Sequence, residues 1–579
     1  MRKKLLLLLM LLFVCVKAYA HDIYSPYNTK KNEIIFSQNL HSIDSINPTL
    51  TTNASGSYYP GMRGANQLII YTPEYGRKTN TNEYGSEAIV VDGTVVALSG
   101  ADSLIPANGI VISGHGTAKI WINENLMVGT KITIDKNKKI VSSYITSESF
   151  LYGAKAKVSE VCTIMNYYSQ YFDGYNPQKA NYYLNKAKKY IEKAEKHSFN
   201  SQKYAALAIK NANNALATVI PYQDDELKGV WIRPESSNPK DIAKILDRMA
   251  SVGINNIFLE TYFHGYTIYP SKVMASYGFT PQNPKFKGDV LGTWIKLAHA
   301  RGIKVNIWFE TFYVGNKNPK YYSQSILGVK PEWSNLPKRS YNSESPVSSA
   351  SEHNGFFLDP ANPDVKKFLL ELVGEIICQY KPDGINMDYL RNPQCISPKN
   401  NGHDLSNWGY TKCARDTFKG NYGVDPVDIK PNTEMWDNWS KFRQDNVTDF
   451  VIKVSELAKA NNVLFTAVIF PDRCAALHTK QQDWKTWLQE GYVDGVTPLL
   501  LTCDSKTAAS LMEEVLRCKP YNTKIYSGLF VTFMNGAPED LLRQIHEARK
   551  LNTHGIIFFD YAHFDNKYVN ILKAGVFKK

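Results

Sequence analysis

FFLDPANPDVKKFLLELVGEIICQYKPDGINMDYLR, residues 356–391, decides the fold. Leu358 to Pro363 is a turn rich in Asp, Pro and Asn, and apolar residues from Val365 to Ile377 recur at helical spacing. Lys381, Pro382 and Asp383 break that pattern. Gly384-Ile385-Asn386-Met387 is then a short run suited to a buried strand, ending in Asp388, Tyr389 and Arg391. A helix delivering a strand that ends in an acid fits a (β/α)8 barrel, in which the C-terminal strand ends carry the chemistry.

The same rhythm runs outward from this unit. After Pro221, eight strand candidates alternate with helical stretches: Gly229 to Arg233, Asn255 to Glu260, Lys304 to Glu310, Gly384 to Asp388, Leu464 to Phe470, Gly495 to Leu501, Lys524 to Phe530 and Gly555 to Asp560. Alternation of this kind implies parallel pairing, because each crossover helix returns the chain to the same end of the sheet. The expectation is an α/β chain with a (β/α)8 TIM barrel over residues 226–579. Two loops, Thr311 to Gly355 and Asn392 to about Trp436, are long enough to suggest function.

Upstream the pattern is different. Residues 21–167 read as a β-rich domain, with strand candidates at 67–71, 88–91, 94–97, 109–113, 119–122 and 131–134, and a hairpin turn at Asp92-Gly93. Ser113-Gly114-His115-Gly116 reads as a glycine-rich turn, since its Ser and His lack a third catalytic partner. Residues 168–225 form a connector, with two helices expected over Pro177 to Ile220, broken near Ser198-Phe199-Asn200-Ser201. The lysine-rich face of the first is most simply solvated.

Arg2, Lys3 and Lys4, the apolar run Leu5 to Val16 and Ala18-Tyr19-Ala20 together predict a signal peptide over residues 1–20, hence a secreted or periplasmic product. Val14 stands where a lipobox needs a small residue, which favours plain secretion over a lipid anchor at Cys15. No later segment has the roughly 18 apolar residues of a membrane helix. The formal charge is +13, or +9 without Arg2, Lys3, Lys4 and Lys17. Such basicity suits an anionic envelope polymer or merely solvated lysines, and no nucleic-acid motif is present. Seven cysteines remain after the leader, too few and too odd for a disulfide scaffold; Cys395 with Cys413 and Cys474 with Cys503 are the candidate bridges, or neither forms.

The chemistry lies at the predicted strand ends. Arg233 and Glu235 follow the first strand, Glu260, Tyr262 and His264 the second, Glu310 the third, and Asp388, Tyr389 and Arg391 the fourth. Asp472 follows the fifth strand; Asp560 and Tyr561 follow the eighth. Glycosidic cleavage needs one carboxyl protonated for the leaving oxygen and another ionised to attack the anomeric carbon or activate water. Neighbouring acids split their own pKa values and an arginine holds one ionised. Asp388 is the first choice, with Glu310, Glu260, Asp472 and Asp560 as candidate partners. Barrel salt bridges are the competing explanation for each partner. Trp333 and the other loop tryptophans Trp408, Trp436 and Trp439 suit stacking on sugar rings, against the alternative of core packing. Trp294, Trp484 and Trp487 are assigned to the core.

GVWIRP at Gly229, IYPS at Ile268, AHARGIKVNIWF at Ala298, LDPANPDVKKF at Leu358 and DGINMDYLR at Asp383 resemble, in that order, the bacterial glycosyl-hydrolase-like 10 family. FRQDNVTDFV at Phe442 and DWKTWLQEGYVDGVTP at Asp483 extend the resemblance into the second half of the barrel. It implies an exported (β/α)8 glycosidase, with Asp388 and Tyr389 on the family's strand-four acid motif; some members act on peptidoglycan glycan strands stripped of peptides. NEYGSEAIVVDG at Asn82 and IPANGIVISGHG at Ile105 resemble part of phosphodiester-glycosidase domains. Departures occur at Leu259-Glu260-Thr261-Tyr262, where the family often has Gln-Val-Arg-Pro, and at Glu310-Thr311-Phe312, where it often has Asn-Pro-Tyr. Pro498-Leu499-Leu500-Leu501-Thr502 also departs, from Pro-Gln-x-Tyr-Trp, so substrate contacts differ from the better-known members.

These readings converge on a glycoside hydrolase acting on an envelope or extracellular polysaccharide. Arg233, Glu235, Tyr262, His264, Trp333, Tyr389, Arg391 and Tyr561 would bind substrate. No metal or other cofactor is expected, since the histidines are scattered and His299 sits on a helix. The rival is a catalytically silent carbohydrate-binding or envelope-scaffold protein on the same fold. Sugar, linkage and oligomeric state are not encoded in any motif.

Overall fold

The computed structural model describes residues 31–34 and 68–578, apart from positions 80, 82–84, 101, 136–139, 396–406, 521 and 535–536. The expected leader lies outside the described residues. No described helix is long and apolar enough to cross a membrane.

Eight parallel strands close into a barrel: β1 (Leu227–Ile232), β2 (Asn256–Phe263), β3 (Lys304–Glu310), β4 (Gly384–Asp388), β5 (Leu464–Ile469), β6 (Gly495–Leu500), β7 (Lys524–Phe530) and β8 (Gly555–Phe559). They are neighbours in chain order, and β8 pairs with β1 to complete the ring. Each lies where its apolar run predicts it, within two or three residues at the ends. Those runs are apolar on both sides because a barrel strand is covered by helices outside and by side chains inside. The helix Pro363–Tyr380 begins at Asn362, whose side chain accepts from the Asp364 N–H. The helix Pro239–Val252 stops at Gly253 with φ +96°, where a Cβ would stand 2.2 Å from the Phe577 carbonyl oxygen.

Inside the barrel, Trp231, Phe258, Trp308, Val468, Tyr526 and Ile557 pack into a plug. Trp231 Nε1 donates to Asn386 Oδ1 at 3.2 Å, and Asn386 Nδ2 donates to Thr466 Oγ1 at 2.9 Å, which satisfies the buried amide. Side chains alternate along a strand. Two residues beyond Trp231, Phe258, Trp308 and Asn386 therefore come Arg233, Glu260, Glu310 and Asp388, on the inner face above the plug. A β-bulge at Thr261 skips one residue between the Trp308↔Glu260 and Phe309↔Tyr262 pairs. It lets Glu260 point inward while Tyr262 points out beneath the helices.

The N-terminal strands form a seven-stranded antiparallel sheet in the order 31–34, 140–144, 131–135, 94–99, 86–91, 109–114, 68–71. The Asp92-Gly93 turn has positive φ at both residues, as a tight hairpin requires. Two expectations fail here. Residues 119–122 are not a strand but part of the helix Thr117–Asn125, because Ala118, Ile122 and Leu126 recur every four residues and bury one face on the sheet. The β-like region also ends well before Tyr167. Ser147–Tyr171 is a 25-residue helix with a capping box at Thr146, burying Phe150, Ala154, Val161, Ile164 and Tyr168. The two helices expected downstream are present as Gln178–Lys196 and Ser201–Val219, separated by a single turn at Ser198–Asn200.

Neither candidate disulfide is formed. The Cys395 sulfur accepts from the Trp408 N–H at 3.4 Å, and the Cys413 thiol donates to the Ala361 carbonyl at 3.9 Å. Cys474 is exposed and Cys503 is buried.

Candidate active site

Five strand ends supply the charges of the site. Glu260 is fully buried, and Arg233 Nε reaches both of its oxygens at 3.1 and 3.0 Å. Burial pushes the Glu260 carboxyl up, Arg233 opposes it, and Asp388 and Asp560 add to the rise, leaving it at about 7. Glu310 is also buried and accepts from the His264 N–H at 2.8 Å. Burial and the neighbouring Glu260 hold its carboxyl well above the usual range, which favours the protonated form.

Asp388 is the Cα partner of Glu310 across β3 and β4. One of its oxygens accepts from Trp308 Nε1 at 3.2 Å and the other from the Tyr389 N–H at 2.7 Å. Burial raises this carboxyl, while those donors and Arg391 hold it down. Asp388 is half-buried, the most open of the three acids on β2, β3 and β4. Asp560 closes the ring from β8, with Arg233 Nη1 at 3.9 Å and His563 Nδ1 at 2.5 Å.

Aromatic residues frame the acids. Tyr389, at φ +53°, stacks on Tyr313 with ring centroids 4.7 Å apart. Burial, Asp388 and Glu310 all raise its phenol, so the hydroxyl keeps its proton within electrostatic reach of both acids. His264 is also at positive φ, and its ring packs edge-on against Tyr313. Burial, Arg233 and Lys317 lower its pKa, which leaves the imidazole neutral at pH 7. Arg233 is half-exposed and lies over the Trp308 ring at 4.9 Å, with N–H groups left for a ligand.

Several sequence candidates lie elsewhere. Tyr262 is fully buried and stacks on Phe309 at 4.5 Å, outside the barrel ring. Trp333 packs among Tyr277, Phe279 and Phe368. Trp408, Trp436 and Trp439 are buried too, so none of these four loop tryptophans offers a sugar a free face. Asp472 is exposed and caps the helix Arg473–Lys480 by accepting from the Ala475 N–H. Glu235 is exposed on the loop after β1. Tyr561 lies beneath Arg248. Arg391 is turned from the acids into a buried fork with Glu352, at 2.8 and 3.0 Å.

That fork is part of a clamp the sequence did not announce. Glu352 also accepts from the Gln394 N–H, and Lys480 stands 3.8 Å away. Burial would raise the Glu352 carboxyl, but Arg391 and Lys480 hold it down to about 2. The clamp ties the long loop after β3 to the end of β4, and a second tie joins Asn335 Nδ2 to Asn392 Oδ1 at 2.7 Å. Trp308 and His563 were also missed. Trp308 was readable, since it precedes Glu310 by two and must share its face.

The model of the family described as Glycosyl hydrolase-like 10 matches residues 226–539. The chain belongs to that family. Glycosyl hydrolase DigH of Escherichia coli K12 is 23% identical over 353 residues, covering 52% of this chain and 72% of its own. Glycosyl hydrolase YngK of Bacillus subtilis is 21% identical over 310 residues, covering 48% of this chain and 54% of its own. Among solved structures, the catalytic domain of a β-amylase from Paenibacillus polymyxa is similar at TM-score 0.40 and 13% identity, over 60% of this chain and 95% of its own. That score is too low to bear on the site. The family match spans all of β1 to β7, so each of the acids on β2, β3 and β4 belongs to the glycosyl hydrolase-like 10 region of the chain.

Proposed function

We propose that the chain is a glycoside hydrolase cleaving a bacterial envelope or extracellular polysaccharide, exported once the leader at residues 1–20 is removed. The observation that carries this reading is the gathering of Glu260, Glu310 and Asp388 at three consecutive strand ends, beside Arg233. Glu310 donates its proton to the glycosidic oxygen, while Asp388 attacks the anomeric carbon and forms a glycosyl ester. Water then opens the ester, passing its proton to Glu310 and its oxygen to the sugar. Adjacent strands lie about 4.8 Å apart, which suits the roughly 5–5.5 Å between the carboxyls of a retaining pair. Burial and the neighbouring Glu260 favour the protonated form of Glu310, and Arg233 orders Glu260 and meets the substrate. Neither step requires a metal.

One observation favours the rival, a carbohydrate-binding barrel without turnover: both oxygens of Glu260 and both of Asp388 already have protein partners. Incubating the full chain with peptide-free glycan strands and a panel of exopolysaccharides, and weighing the products, separates the two. Shortened chains support hydrolysis; retention of polymer without product supports binding alone.

A further inference from the structure

The helical hairpin between the N-terminal sheet and the barrel carries a feature that glycan cleavage does not use. Its segment 177–220 has eight lysines and two glutamates, a surplus of six positive charges. On Gln178–Lys196 the buried positions are Ala180, Leu184, Ala187 and Ala194, which face the neighbouring helices. Lys186, Lys189, Lys193 and Lys196 recur at intervals of three and four on the opposite side, and with Tyr190 and Glu192 they line one shallow concavity of about 510 Å³. Lys155 of the adjacent helix pairs with Glu195 at 2.7 Å, which leaves Glu192 as the acid in that face.

The turn at the end of this helix holds an aromatic ring out in water. Phe199, in Ser198–Asn200, is 98% exposed, the highest value among the large apolar side chains of the described residues. Lys196 and Lys203 flank it, both exposed. The open end of the hairpin is anchored to the barrel, since Lys179 Nζ donates to the Ala574 carbonyl at 2.7 Å. Phe199 thus stands one helix length away, roughly 28 Å for 19 residues.

We propose that this hairpin docks the protein on an anionic phospholipid surface, with Phe199 inserted at the headgroup level and the lysine face on the phosphates. An aromatic tip framed by lysines is the chemistry of an interfacial anchor. A bilayer takes up both the ring and the charges, whereas a linear polyanion would engage the lysines and leave Phe199 in water.

The test is co-sedimentation of the full chain with vesicles of phosphatidylcholine alone and of equimolar phosphatidylcholine and phosphatidylglycerol, with dextran sulfate as the soluble polyanion. Binding to the anionic vesicles alone, weakening with salt, is expected. Phe199→Ser should cut it at least about tenfold, the worth of burying one phenyl ring. Replacing Lys186, Lys189 and Lys193 together by Gln should cut it about a hundredfold, at about fivefold per lysine. All these positions are exposed and none belongs to the strand-end site, so circular dichroism and glycan cleavage should not change. Absence of vesicle binding, or equal binding to neutral vesicles, overturns the proposal. So does Phe199→Ser binding vesicles normally while the lysine variant loses both vesicles and dextran sulfate, which marks a polyanion site instead.

Discussion

Raising the pH should weaken the barrel through Glu260, and removing that carboxyl should abolish the effect. Its pKa stands at about 7 in the folded protein against an ordinary 4.5. A group whose folded pKa is raised binds its proton more tightly in the native state. Its stabilisation is complete below pH 4.5 and is lost as the pH climbs through 7. A difference of 2.5 units corresponds to a loss on the order of 3 kcal/mol by pH 8. The side chain is fully buried, so solvent does not screen this term. Urea unfolding, followed by the fluorescence of the buried tryptophans, should be measured from pH 4.5 to 8 for the natural chain and for Glu260→Gln. The amide cannot ionise, and half-exposed Arg233 stays solvated. Glu310 stays raised by burial in both proteins, and the push it loses from Glu260 in the variant acts in the same sense, steepening the contrast. The stability difference, natural chain minus variant, should therefore fall by about 3 kcal/mol across that range. A difference that stays flat, or rises with pH, refutes the assignment of Glu260 as a carboxyl destabilised by burial.

Glu352→Ala should cost about 3–5 kcal/mol in the same unfolding assay, because it strands the buried Arg391 guanidinium; a loss under 1 kcal/mol would deny the clamp. Trp333→Ala should cost a similar 3–5 kcal/mol while leaving the affinity for glycan unchanged, as calorimetry would show. Cleavage should survive dialysis against a strong chelator, since carboxyls alone carry the proposed steps; recovery only on adding zinc or calcium would contradict them.

The barrel was legible because its signal is local. Each strand is a short apolar run, and each helix has its own cap and period, so β3, β4 and β7 match their expected bounds to the residue. The acids on β2, β3 and β4 were legible for the same reason, as strand-end charges. Residues acting through distant partners were not. Arg391 read as a rim cation, yet its partner Glu352 lies 39 residues upstream, beyond any periodic signal. Trp333 read as a sugar platform because loop residues are taken as exposed; its ring is buried against helices no loop pattern reveals. Asp472 is the converse, an exposed acid at a strand end that caps the next helix. The helix Thr117–Asn125 was missed because Ile120-Trp121-Ile122, a short run of β-favouring residues, imitates a strand.

The central claim is that Glu310 and Asp388 act as a pair on a glycosidic bond. The direct measurement is the turnover of a cleaved polysaccharide, and of an aryl glycoside with a good leaving group, by the natural chain, Asp388→Asn and Glu310→Gln, each checked for folding by circular dichroism. Asp388→Asn should lose activity on both substrates. Glu310→Gln should lose roughly 10²–10⁴-fold on the polysaccharide and far less on the aryl glycoside, whose leaving group needs no proton. A folded variant of either residue that cleaves the polysaccharide at the natural rate would contradict the account.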